Sequence, residues 1–133
     1  MQNYRQLSVW RFAHALALNV HRLTAIIPRQ HNGGLISQLR RAALSVPANI
    51  AEGSSRESNR DFAKFLVIAI ASSSELEYHL QFSGDANLIP RHECDARLTE
   101  VVQVRRMLIG LLKRVRSSDG PVAVVPPPST GSP

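Results

Sequence analysis

Four segments of the chain repeat apolar residues at alternating steps of three and four, and this period limits the fold more than any other feature. From about residue 8 to 27 the row is Val9, Ala13, Leu16, Val20, Leu23, Ile27, with Ser8 placed to cap the helix. From 35 to 53 it is Leu35, Leu39, Ala42 and Ala43, Val46, Ile50. From 59 to 83 it is Phe62, Leu66, Ala69, Ser73, Leu76, Leu80, opened by Ser58-x-x-Asp61, a capping-box variant. From 93 to 116 it is Leu98, Val101, Arg105, Leu108, Leu112, Val115. Such rows lie along one helix edge and bury between slightly crossed helices. No segment sustains the two-residue alternation of a strand. The turns between them are PRQHNGG (28–34), GSSRESN (53–59) and SGDANLIPRH (83–92). A helix of about 20 residues is about 30 Å long. Four of them on short turns predict an all-α fold, an up-down-up-down four-helix bundle over residues 1–116. The remainder, 117–133, holds five prolines and no helical period, and is expected to be a disordered tail.

Three features do not belong to a plain bundle. Pro47 sits inside the second helix, where it either kinks the helix or starts a new one. Arg41, Ser45, Asn49, Glu52 and Arg56 fall within about 80° of one another at helical pitch, a solvated face or a polar network holding the two arginines. Glu75, Glu77 and the seam residue Arg105 extend that network, since a buried arginine needs a carboxylate unless it reaches solvent. The third helix is apolar over too wide an arc: Val67, Ile68, Ala71, Tyr78 and Phe82 lie off its seam, as Trp10 and Leu18 do on the first. A helix apolar nearly all round is expected to be covered on both sides, here by other copies of the chain.

Charge adds a second expectation. The 133 residues carry a formal net charge of +6, with 16 basic and 10 acidic side chains. This favours an anionic partner. Arg40, Arg41, Arg56, Arg60, Arg106, Lys113 and Arg114 are the candidates for contacting RNA or DNA. With no aromatic interleaving and no recognition-helix motif, contact is expected to the backbone, with little sequence preference. A scaffold whose arginines serve solubility alone is the alternative. No acid/base pair, phosphate-binding loop or metal-ligand spacing stands out, so neither catalysis nor a cofactor is expected. His14 and His21, seven apart, lack further ligands. The single cysteine, Cys94, precludes an intrachain disulfide. The longest apolar run, FLVIAIA (65–71), is too short for a membrane span, and a soluble cytoplasmic protein is expected.

The stretch QLRRAALSVPANIAEGSSR (38–56) resembles the signature of a bacterial four-helix-bundle family first noticed as proteins encoded in intervening sequences of 23S rRNA genes. The resemblance extends to Leu7-x-Val9-Trp10-x-x-Ala13, Gly34-Leu35, Phe62-x-x-Phe65-Leu66 and Ser74-Glu75-Leu76-Glu77, covering residues 5–116. It implies a homo-oligomer, a pentameric barrel of bundles. The chain is also similar to the accessory protein of diversity-generating retroelements, which implies nucleic acid and a reverse transcriptase as partners. The usually acidic turn before the second helix is here Arg29-Gln30-His31-Asn32, which makes that surface more basic.

Overall fold

The computed structural model describes residues 3–118. A 3-10 turn, Tyr4–Gln6, leads into α1 (Ser8–Thr24), α2 (Gly33–Ser54), α3 (Asn59–Asp85) and α4 (Arg91–Ser118). Among the described residues there is no strand. Each helix packs on its chain neighbours, and α4 closes the bundle by returning to α1. The expected tail lies outside the described residues, apart from Ser117 and Ser118, which end α4.

The seams of α1 and α3 are buried along their whole length, including Ile27 just past α1. On α4 the buried row is Cys94, Val101, Val104, Leu108, Leu111, Val115, with Leu112 beside it. Arg105 therefore stands one position off the seam on which its spacing had placed it. Val104 takes the core position, and the guanidinium reaches sideways. The largest fully buried side chains are leucines, among them Leu16, Leu39, Leu66, Leu76, Leu80 and Leu108. Each contributes on the order of 2 kcal/mol by leaving water.

The helix ends differ in detail from the sequence-based expectation. Leu7, not Ser8, occupies the cap of α1, and no side chain caps it. Ser58 does cap α3, its Oγ accepting from Asp61 N at 3.1 Å. Gly33 and Gly34 are the first residues of α2, not turn residues; the left-handed conformation in that turn falls on His31 (φ 72°). α3 ends in a Schellman motif: Leu88 N donates to Ser83 O and Asn87 N to Gly84 O, with Asn87 left-handed (φ 61°). α2 passes through Pro47 as one continuous helix, with the proline ring buried. Two glycines set helix spacing. A Cβ on Gly53 would come within 2.7 Å of Phe65 Cβ, and one on Gly84 within 2.5 Å of Cys94 Sγ.

Candidate functional site

The polar residues of α2 and α3 form separate groups, not one network. Arg41 donates to Gln38 and to Glu75 across the α2–α3 boundary, and Glu75 also meets His79 Nε2 at 3.3 Å. Asn49 turns inward to Ser45, whose hydroxyl pairs with Ser72 at 2.7 Å. Glu52 holds Arg56 at 2.9 Å, and the Arg56 guanidinium lies 4.6 Å from the centre of the Phe65 ring. Glu77 accepts from Arg105, tying α3 to α4. These ion pairs are partly exposed, so each contributes under about 1 kcal/mol. Ser72 and His79 escaped the sequence reading of this network because they sit on α3, across from the α2 stripe.

The Arg41–Glu75 and Arg105–Glu77 pairs flank the outer face of α3 on either side. Between them lies its apolar stripe: Val67 is 44% exposed, Ile68 46%, Tyr78 64% and Phe82 47%, with Ala71 exposed among them. Leu18 on α1 is exposed as well. Trp10 is half-buried. It packs on the core, meets Tyr4 edge-on at 4.9 Å and stacks on His14 at 4.8 Å.

Charge is unevenly spread along the bundle axis. Antiparallel packing brings the starts of α1 and α3 to the same end as the finishes of α2 and α4. Among the described residues that end carries Arg5, Arg11, Arg56, Arg60, Lys64, Arg106, Lys113, Arg114 and Arg116 against Glu52, Glu57 and Asp61: nine basic and three acidic residues. The other end carries Arg22, Arg29, Arg40, Arg41, Arg91, Arg97 and Arg105 against Glu75, Glu77, Asp85, Glu93, Asp95 and Glu100: seven and six. At this second end the arginines are largely engaged. Arg40 Nε donates to Thr24 Oγ1 at 2.8 Å, Arg91 spans Asp85 and Asp95, and Arg97 lies against Glu93 and Glu100. At the first end Arg5, Arg11, Arg60, Arg106, Lys113, Arg114 and Arg116 are exposed and have no carboxylate partner among the described residues. Of the seven basic candidates named from sequence, Arg40 is half-buried against Thr24, Arg41 and Arg56 are exposed but paired with Glu75 and Glu52, and Arg60, Arg106, Lys113 and Arg114 face solvent without a carboxylate partner among the described residues.

Cys94 is fully buried, its Sγ donating to Leu80 O at 3.4 Å. Burial pushes the thiol above its ordinary range, an effect that nearby Arg91 only partly offsets. The thiolate is therefore disfavoured at neutral pH. Among the described residues no three His, Cys, Asp or Glu side chains lie close enough to hold a metal ion. No described helix is long and apolar enough to cross a membrane.

Comparison with known proteins follows the same lines. The chain matches no curated protein at a significant level. A solved structure of a protein of unknown function from the S23 ribosomal protein family of Bacteroides thetaiotaomicron VPI-5482 superposes with a TM-score of 0.74. The two are 24% identical, and the match covers 79% of this chain and 98% of that one, a likeness of fold. The family profile described as 23S rRNA-intervening sequence protein matches residues 5–110, which takes in α1, α2, α3 and most of α4. By that match the chain belongs to the 23S rRNA-intervening sequence protein family.

Proposed function

We propose that this protein is a non-enzymatic, self-associating helical adaptor that binds the backbone of RNA or DNA through its basic end. The observation that carries the reading is the charge polarity of the bundle: among the described residues, an end with nine basic and three acidic side chains, seven of the cations lacking a carboxylate partner. Guanidinium groups not already spent on intramolecular pairs are the ones free to meet phosphates. The α3 stripe supports self-association, because an apolar strip with a polar border has the anatomy of a protein interface. Resemblance to the family's oligomers favours a ring of five. A ring repeats the basic end around its rim and multiplies a modest affinity by avidity.

The test is a salt titration of binding to a generic RNA or DNA. Affinity is expected to fall at least about 100-fold between 50 and 200 mM salt, as backbone contacts release counterions. No binding at 50 mM would leave the alternative, a protein-interaction scaffold. The intramolecular pairs of Arg41, Arg56, Arg91, Arg97 and Arg105 favour that alternative, since they show arginine serving the bundle itself. Light scattering on the same sample reads the assembly, and a 14.7 kDa species at micromolar concentration would remove self-association.

A further inference from the structure

Within the basic end, the geometry points to one groove as the seat of a single nucleic-acid strand, with Arg106 and Arg114 each holding a phosphate of that strand. This inference rests on the nucleic-acid reading above and narrows it to a site. The groove runs between the N-terminal turn and α4. Gln6 and Ser8 stand on one wall, Arg106 and Arg114 on the other, with Met107 and Gly110 beneath.

Gly110 is the informative residue. It lies one helical turn from Arg106 and one turn from Arg114, in opposite directions. A Cβ there would meet Arg114 Nη1 at 3.6 Å, with nothing closer. Packing demands glycine at Gly53 and Gly84 but not here, and a glycine inside an exposed helix face weakens the helix. What the missing side chain does provide is room for the Arg114 guanidinium to lie back over the helix, toward Arg106.

The α-carbons of the two arginines are about 12 Å apart along the helix axis, and the Arg114 guanidinium lies back over Gly110 between them. Two cations so placed suit two phosphates of one chain better than a single phosphate ion. Lys113 continues the cationic track on the same outer face of α4. Met107 offers an apolar surface to a sugar or base edge between the phosphates. A concave groove bounded by a turn and one helix admits one strand, whereas a duplex touches only its rim.

The experiment is fluorescence anisotropy of a labelled single-stranded RNA, about 20 nucleotides long, with the full chain at 50 mM salt. Replacing both Arg106→Gln and Arg114→Gln is expected to weaken binding at least about 10-fold and to lower the slope of log affinity on log salt by about 1.4, two backbone contacts' worth. Gly110→Glu places a carboxylate between the arginines. It is expected to cause a similar loss while the melting temperature holds or rises, which separates a blocked groove from a failed fold. Arg60→Gln with Arg116→Gln, on the α3 side of the same end, is expected to cost less than about 3-fold. Strong binding by the wild type with unchanged affinity in the Arg106/Arg114 and Gly110 variants would overturn the groove and leave the broader reading standing. Absence of wild-type binding would overturn both. Full competition by millimolar inorganic phosphate, or equal affinity for a duplex of the same length, would overturn the assignment to a strand.

Discussion

At the scale of single residues, small side chains decide how closely the helices approach. Gly53 lets α2 lie against Phe62 and Phe65, and Gly84 lets α3 lie against Cys94. Ser72 and Ser45 meet through their hydroxyls in the same α2–α3 boundary, compact enough to bury and paired enough to avoid a desolvation penalty. Gly53→Ala is therefore expected to destabilise the fold by about 1–3 kcal/mol, the usual cost of overpacking, read as a lower urea midpoint at unchanged slope. An alanine at Gly33, where no atom lies within 4 Å of the added carbon, is the matching control. The sequence placed Gly53 where the second helix meets its turn, without marking it as a packing position. The reason for a glycine there, two phenylalanine rings on another helix, could not be read from spacing along one chain.

At the scale of elements, α3 carries the most information. Its buried row satisfies the intramolecular core, yet its opposite face keeps Val67, Ile68, Tyr78 and Phe82 in solvent. The Arg41–Glu75 and Arg105–Glu77 pairs bind α3 to both neighbours and frame that face. If the stripe is an interface, Ile68→Lys with Phe82→Lys is expected to convert the assembly to a 14.7 kDa protomer by light scattering. The helical circular dichroism should remain, since surface changes of this kind shift stability by only about 0.5 kcal/mol either way. An unchanged assembly would mean that copies meet elsewhere. The excess apolar width of α3 was legible from its sequence, because burial on one helix face is a local period. Trp10 met the same criterion on α1 and is half-buried, stacked on His14 one turn along and met edge-on by Tyr4, a contact from the preceding turn that no helical period encodes.

At the scale of the whole molecule, the net charge of +6 turns out to be a dipole-like arrangement and not a uniform coat. The prediction that belongs here compares ends. Arg22→Gln with Arg29→Gln removes two charges at the balanced end. It is expected to change nucleic-acid affinity less than about 3-fold, because non-specific affinity depends on phosphates contacted and not on total charge. A loss as large as that from Arg106→Gln with Arg114→Gln would mean that overall charge alone drives binding.

The sequence by itself determined the helices, their order and most of the core. Those properties arise from short-range periods in which each residue's neighbours on the helix face are three or four positions away. Tertiary structure alone decided the rest. It kept α2 continuous through Pro47, moved Arg105 off the seam and onto Glu77, drew Arg41 to Glu75, and left Arg60, Arg106, Lys113 and Arg114 facing solvent. The physical reason is that an ion pair or a patch of like charge depends on which residues antiparallel packing brings side by side. Those residues lie tens of positions apart, where no local pattern records the match.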